Sequence, residues 1–216
     1  MGSLAAQILA VLPQTQCTRC GYPDCAVYAQ AVAEDEAGIN QCPPGGQQGI
    51  EWLAAATGRP VTALNPANGV EGPRTVAFID EDWCIGCTLC IKACPTDAIM
   101  GSNKLMHTII EAYCTGCELC LPVCPVDCIE LENVTGTATG WSAWSRPLAD
   151  LAQKRYEFNS YRRKLDVGEN AKRLEERAET KLADLPAHSQ HTDPVILDKK
   201  RAVIEAALAR ARAKRG

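Results

Sequence analysis

A repeated stretch decides the fold: CIGCTLCIKACPTDAI at residues 84–99 returns as CTGCELCLPVCPVDCI at residues 114–129. The two runs are offset by 30 residues and are identical at 9 of 16 positions. Each run has the spacing C-x2-C-x2-C-x3-C-P, which is typical of chains that bind a pair of 4Fe–4S clusters. The repeat therefore predicts a duplicated iron–sulfur domain.

The spacing also predicts which cysteines share a cluster. Three thiolates two residues apart in a tight loop can bind three corners of one cluster, and Gly86 and Gly116 permit the bend. We expect the fourth cysteine of each run to begin a helix and to reach the opposite cluster, with Pro95 and Pro125 opening helices or turns. Set 2 is therefore predicted as Cys84, Cys87, Cys90 and Cys124. Set 3 is predicted as Cys94, Cys114, Cys117 and Cys120. A pair of zinc knuckles is the alternative, but zinc sites seldom have a third cysteine two residues on and a fourth followed by proline.

A further cysteine group precedes the repeat and is called set 1: Cys17, Cys20, Cys25 and Cys42. Its spacing, C-x2-C-x4-C-x16-C, suits either zinc or an iron–sulfur cluster, because both bind soft thiolates. The redox pair downstream favours a third redox centre over a structural ion. On spacing alone, zinc remains open for this set.

Cys128 is the thirteenth cysteine and aligns with Ala98 of the first run. That position favours a small apolar residue near a cluster. We therefore predict a buried, inert thiol, with a regulatory or ligating role as the alternative.

The cysteines are expected to bind metal rather than to form disulfides. Residues 1–12 have no basic segment or cleavage site of a signal peptide, and the apolar stretch 4–12 is far shorter than the roughly 20 residues that span a bilayer. Disulfides persist in oxidising compartments, whereas this chain is expected in a reducing cytoplasm.

Charge separates the chain into two regions. Residues 1–144 carry 5 Lys and Arg against 15 Asp and Glu, whereas residues 145–216 carry 17 against 11. The net charge is thus −10 for the part that holds every cysteine and +6 for the remainder. An acidic cysteine region followed by a basic tail indicates two functional regions.

Four segments are predicted from these shifts in composition. They are a four-cysteine domain at residues 1–57, a Gly-, Pro- and Asn-rich linker at 58–74, a two-cluster domain at 75–134 and a basic helical tail at 135–216. The predicted class is α+β, a small helical 4Fe–4S domain and a ferredoxin-type domain followed by a helical tail.

Hydrophobic periodicity predicts the local elements. Helices are expected at residues 4–11, 26–37, 147–165, 169–185 and 194–214, with Asp193 capping the last one and Pro194 in its first turn. A strand is expected at 75–80, and a short hairpin from 99–100 and 105–110.

The histidines and tryptophans provide weaker signals. No second type of ligand accompanies His107, His188 or His191, so solvated surface positions are predicted. All four tryptophans, Trp52, Trp83, Trp141 and Trp144, are expected to be packing residues, and Trp83 is also a candidate to shield a cluster from water because it adjoins Cys84.

Residues 4–132 resemble one known family. LPQTQCTRCGYPDC, followed by YAQAVA and INQCPPGGQQGIEWLA, looks like the four-cysteine iron–sulfur domain of the B subunit of the Rnf (also Rsx) electron-transport complex. That protein has a ferredoxin domain next, as here. The resemblance implies a third 4Fe–4S cluster, on Cys17, Cys20, Cys25 and Cys42. It also implies a relay of electrons on the cytoplasmic face of an inner-membrane complex that couples redox chemistry to ion movement. The family usually begins with a membrane-spanning helix, which we expect this chain to lack, and the basic tail has no counterpart in its pattern.

Two functions follow as hypotheses. The first is an electron carrier with three 4Fe–4S clusters that makes and breaks no substrate bond itself, serving as a subunit of a redox-driven translocase. Its partners would be other redox subunits, and its basic tail would contact anionic lipid or remain a solvated helix. The alternative is a free soluble cytoplasmic ferredoxin whose acidic face steers it to basic redox partners. Nucleic acid is not an expected partner, because the aromatic residues between arginines at 155–163 suit helix packing equally well.

Overall fold

The structure, a computed structural model, describes residues 2–213, and two compact units divide the chain, Met1–Ser160 and Tyr161–Gly216. Residues 2–213 contain seven α-helices and four short strands. The helices are α1 Leu4–Val11, α2 Cys25–Ala33, α3 Gly46–Thr57, α4 Leu89–Ala93, α5 Gly140–Ala143, α6 Arg146–Ala183 and α7 Pro194–Ala213. The strands are β1 Thr75–Ile79, β2 Ile99–Met100, β3 Thr108–Ile109 and β4 Ile129–Asn133. The predicted α+β class is confirmed.

Helices α1, α2 and α3 build the N-terminal core. Ser3 caps α1 and Asp24 caps α2, each accepting a hydrogen bond from a backbone N–H of the first turn. Their apolar faces meet around a set of fully buried side chains: Ile8, Leu12, Tyr28, Val32, Ile50 and Leu53. The helix expected at residues 26–37 begins one residue earlier and ends at Ala33, and α3 is not among the predicted helices.

Strand β4 is also absent from the sequence-based prediction. It pairs with β1 in antiparallel register from Thr75 opposite Asn133 to Ile79 opposite Ile129. Its sequence IELEN alternates apolar and acidic residues, the pattern of a strand with one buried face. The pair joins the two ends of the duplicated domain, while β2 and β3 form the expected hairpin over a shorter length.

The two cysteine runs have the same backbone conformation at the bend of each loop. Gly86 and Gly116 both have φ of +66°, and Thr88 and Glu118 have φ of +65° and +66°. A Cβ on Gly116 would lie 2.5 Å from the carbonyl oxygen of Thr75, so neither the conformation nor the space suits another residue. The glycines permit the tight loop as the spacing predicts.

The fourth cysteine does not begin a helix, contrary to the prediction. Helix α4 precedes Cys94, which ends it in an extended conformation with φ of −67° and ψ of 120°. The following Pro95 explains this, since the residue before a proline is disfavoured in the helical region. Residues 95 and 96 then form a turn.

Two of the helices predicted in the tail are one continuous helix. Helix α6 runs through Gly168 and covers the predicted helix at 147–165 and all of the one at 169–185 except its last two residues. One glycine in a helix interior costs about 1 kcal/mol and does not by itself end the helix. In the second unit, Arg212 of α7 pairs with Glu175 of α6 at 2.5 Å and also with Glu179. The predicted end of the last helix, Lys214, lies outside the described residues.

None of the helices within residues 2–213 combines the length and apolar character that a bilayer span requires. The limit between the compact units falls inside α6, at Ser160. The predicted domain limits at residues 57, 74 and 134 lie within the first unit and stay a prediction.

Candidate iron–sulfur centres

Two clefts in the duplicated domain divide its cysteines. One is lined by the four thiols of set 2, together with Cys128 and His107. The other is lined by the four thiols of set 3, together with Thr96 and Ala98. The structure thus brings the fourth cysteine of each run to the first three cysteines of the other run.

The two clefts are small, and most of the side chains that line them are cysteines or apolar residues. Within residues 2–213 no three or more Cys, His, Asp or Glu side chains are placed to hold a single metal ion. A 4Fe–4S cluster does not require ligands that converge on one ion. It requires one thiolate on each of four irons around a shared space, and the four cysteines that line each cleft fit that requirement.

Set 1 lies at the edge of the N-terminal core. Cys25 is the first residue of α2, and its backbone N–H donates to the Oε1 of Gln16 at 3.0 Å. Cys42 is buried and precedes the turn Pro43–Gly45. Negative charge on the other three thiols of the set acts on the Cys42 thiol, so the four side chains share one electrostatic environment.

Burial sets the protonation of these thiols. It raises the pKa of Cys25 and Cys120 to about 12 and that of Cys90 and Cys117 to about 11. Neighbouring cysteine charges raise these pKa values further, since several thiolates at one site repel one another. Thiols of this kind are protonated at neutral pH until a metal binds and releases the protons.

Backbone amides point at the sulfurs of set 3. The N–H of Ala98 donates to the Sγ of Cys94 at 3.2 Å, and the N–H of Ala77 donates to the Sγ of Cys114 at 3.5 Å. Such hydrogen bonds stabilise a thiolate and tune the potential of a cluster bound to it.

Cys124 differs from the other thiols. Burial raises its pKa, but hydrogen bonds from the backbone N–H groups of Val126, Cys128 and Asp127 and from the Cys128 thiol outweigh burial and lower it. The Sγ atoms of Cys124 and Cys128 are 3.6 Å apart, and burial raises the pKa of Cys128 to about 12. Cys128 is buried as predicted, and in addition it contacts a predicted ligand.

His107 is the site residue that sequence reasoning missed. It is predicted at the surface, but its side chain is only 1% exposed, and its Nδ1 lies 3.2 Å from the Sγ of Cys90. Gly101 packs against the imidazole ring so closely that a Cβ there would overlap its Cδ2. In the sequence, only the position of His107 between the two cysteine runs indicated a role at the site. The contact with Cys90 itself depends on how the hairpin folds back.

Three tryptophans pack against other residues as expected, and Trp83 does not. Trp144 is buried, and Trp52 packs against Trp141 with ring centres 4.9 Å apart, as expected of packing residues. Trp83 is predicted to shield a cluster, but its side chain is 69% exposed. Adjacency to a cysteine in sequence does not place the indole over the cleft.

Family models match both cysteine regions. A model described as "4Fe-4S dicluster domain" matches residues 77–131, and one described as "Putative Fe-S cluster" matches residues 12–44. The fold and these sites define a 4Fe–4S protein of the dicluster ferredoxin type, with a further iron–sulfur region before the repeat.

Curated relatives identify the family. The B subunit of the ion-translocating oxidoreductase complex of Azoarcus sp. is 55% identical over 148 residues, which are 68% of this chain and 80% of the relative. The protein of the same name from Vibrio cholerae is 57% identical over 136 residues, 62% of this chain and 68% of the relative. That from Thiobacillus denitrificans is 59% identical over 107 residues, 50% of this chain and 57% of the relative. The chain belongs to the family of these B subunits, and the predicted resemblance is confirmed.

Proposed function

We propose that the chain holds three 4Fe–4S clusters, on sets 1, 2 and 3, and relays electrons as the B subunit of an Rnf-type ion-translocating complex. The observation that carries the proposal is the division of eight repeat cysteines between two clefts, four to each. Shared thiolates tie the two halves of the repeat together and keep the two cluster positions at a fixed separation.

A cluster on set 1 rests on different support. Three of its thiols act electrostatically on Cys42 at a buried site. The family model of an iron–sulfur region matches residues 12–44, a range that includes all four cysteines of the set. Zinc on the same thiols is the competing occupant, and metal analysis separates the two.

The proposed role of the chain's residues is to bind the clusters and to surround them with protein. When bound, each cluster takes up and releases single electrons, at a potential set by hydrogen bonds to sulfur, burial and charge. The buried thiols anchor the irons, while the amides of Ala77 and Ala98 and the side chain of His107 point at sulfur atoms. In this mechanism no side chain makes or breaks a substrate bond, so the chain is an electron carrier within a larger redox-driven translocase.

The proposed partners are other redox subunits of a membrane complex, met at its cytoplasmic face. The second unit, residues 161–216, carries 14 Lys and Arg against 9 Asp and Glu and would add peripheral contact with anionic lipid. The name of the relatives supports an assembly with further subunits.

Anaerobic purification of the full chain from its native cells at low salt tests the proposal. We expect about twelve iron atoms and twelve acid-labile sulfides per chain, four of each per cluster, and no zinc. Co-purifying membrane redox subunits are expected. About eight irons with one zinc would overturn the third cluster, and recovery alone with all three clusters would indicate a free ferredoxin instead.

A further inference from the structure

The cysteine loops of sets 1 and 3 lie directly against each other. The hydroxyl of Thr115 donates to the backbone carbonyl of Thr15 at 2.8 Å, and both residues are buried. Beside this contact, Arg19 pairs with Glu118 at 2.5 Å. Thr115 and Glu118 flank Cys117, and Thr15 and Arg19 flank Cys17, so the contact joins two ligand loops.

Residues 140–160, called the strap here, run across both loops. The indole N–H of Trp144 donates to the carbonyl of Pro13 at 2.8 Å, and this side chain is 6% exposed. The guanidinium of Arg74 lies 5.1 Å from the centre of the Trp144 ring and donates to the carbonyl of Cys114 at 2.9 Å. One tryptophan thereby connects the segment before set 1 with a ligand of set 3.

Further along the strap, α6 binds the turn that follows Cys94. The side chain of Arg155 donates to the carbonyls of Thr96 and Asp97 at 2.6 and 3.0 Å. Asn159, which is 2% exposed, donates to the Oδ1 of Asp97 at 2.6 Å. Arg155 and Asn159 are four residues apart and so share one face of the helix.

The same helix also reaches set 1. The hydroxyl of Tyr156 donates to the Oδ2 of Asp24 at 3.0 Å, and Asp24 is the N-cap of α2, whose first residue is Cys25. A single stretch of α6 is therefore hydrogen-bonded to the turn after a set 3 cysteine and to the cap before a set 1 cysteine.

Residues of the predicted linker, 58–74, also form hydrogen bonds to residues outside it. The carboxylate of Glu71 accepts from the N–H of Gln47 at 2.8 Å and from the hydroxyl of Thr139, just before the strap, at 2.7 Å. The side chain of Asn68 donates to the carbonyl of Arg19 at 2.9 Å. These bonds connect the predicted linker to the first cysteine domain and to the residue just before the strap.

We propose that the strap locks the two cysteine domains into one rigid body and makes the set 1 and set 3 sites neighbours in the relay. The inference rests on the proposed function for its electron-transfer meaning, and it assigns a positioning role to Trp144, Arg155, Tyr156 and Asn159. The buried hydrogen bonds of Thr115, Trp144 and Asn159 contribute most to this rigidity. Breaking one of them would leave a buried polar group without a partner, which costs free energy. The Arg19–Glu118 pair is partly open to solvent and adds little.

Hydrogen–deuterium exchange on the anaerobically purified full chain, with its metal bound, tests the lock. Trp144→Phe removes one indole donor, and Arg155→Ala removes the contacts to the turn after Cys94. We expect the combined variant to exchange amides of residues 13–25 about five- to tenfold faster than the native chain. The matched controls are Trp83→Phe, an exposed tryptophan, and Lys154→Ala, an exposed cation one residue away. Equal protection of these amides from exchange in the combined variant and in the controls would overturn the proposed role of the strap.

Electron paramagnetic resonance of the fully reduced chain supplies a second readout. We expect magnetic broadening between the set 1 and set 3 signals in the native protein and its loss in the strap variant, with iron content unchanged. Thr115→Val, which alters one buried hydroxyl, serves as a milder variant and should weaken the same interaction. A set 1 signal that shows no magnetic interaction with set 3 in the native chain would refute the neighbouring order. Absence of cluster signals would instead refute the proposed function, while the exchange experiment would still decide the strap.

Discussion

The Nδ1 of His107 lies 3.2 Å from the Sγ of Cys90, inside the cleft lined by set 2. The Nε2 of this ring has no hydrogen-bond partner among the described residues. A Cys90 thiolate that binds a cluster can only accept a hydrogen bond, so with a cluster bound the tautomer that carries its proton on Nδ1 would donate to it. A side chain from the hairpin between the runs thereby supports a ligand in the first run.

Replacing His107 with Phe is expected to lower the reduction potential of the set 2 cluster. A donor to sulfur stabilises the more negative, reduced cluster, and phenylalanine fills the space without donating. A redox titration followed by electron paramagnetic resonance measures the potential of each cluster. His188→Phe, in an exposed position, is the control. An unchanged set 2 potential, or an equal fall at every cluster, would contradict the role of this bond.

Single cysteine variants should reveal the crossed ligation. We expect Cys94→Ala to remove the cluster signal that depends on Cys114, and Cys124→Ala the one that depends on Cys84, because each cleft draws one thiol from the opposite run. Iron analysis should show a loss of about four atoms per chain in each case. Cys128→Ala should keep all the iron, since alanine occupies the matching position 98. Loss confined to the cluster of the mutated run would exclude crossing.

The requirement for glycine at position 116 can be tested by comparison with Gly136. Gly116→Ala is expected to lower the free energy of unfolding by about 1–3 kcal/mol more than Gly136→Ala. Both positions have φ of +60° or more, but only at Gly116 would the new Cβ meet a backbone carbonyl, that of Thr75 at 2.5 Å. Denaturant unfolding of the anaerobic holoprotein measures the difference. Equal costs would mean that the conformation alone, and not the close approach to β1, requires glycine.

A truncation after Ser160 separates the strap from the rest of the tail. We expect iron content to be retained, because the strap contacts lie at or before Asn159. Binding to vesicles that contain anionic lipid should fall, since the deleted residues carry a net charge of +5 and each basic residue near a membrane surface adds about 1 kcal/mol. Vesicle sedimentation at low and high salt measures this. Unchanged binding by the truncated chain would rule out the tail as the lipid contact.

Local spacing predicts which cysteines line each cleft, because the runs form short loops, while their assignment as cluster ligands stays a prediction. The hairpin between the runs follows from a turn flanked by apolar pairs. Strand β4 carries a readable signal, the alternation in IELEN, that the prediction did not use.

Tertiary contacts explain what the sequence could not supply. The burial of His107 depends on how the hairpin between the runs folds back, and no residue-level pattern predicts the bond to Cys90. The strap joins Trp144 to Pro13 across 131 positions, so neither periodicity nor spacing could indicate it. The continuity of α6 through Gly168 reflects the propensity of its neighbours, which outweighs one unfavourable residue.

The shared conformation of the two cysteine loops has a consequence for the cluster potentials. Gly86 and Gly116 both have φ of +66°, so each run makes the same bend beside its first three cysteines. A difference in reduction potential between the two clusters then depends on what differs around the loops, such as Cys128 lining one cleft where Ala98 lines the other. Substitutions at such positions are expected to shift the potential of one cluster relative to the other while leaving the loop conformation unchanged.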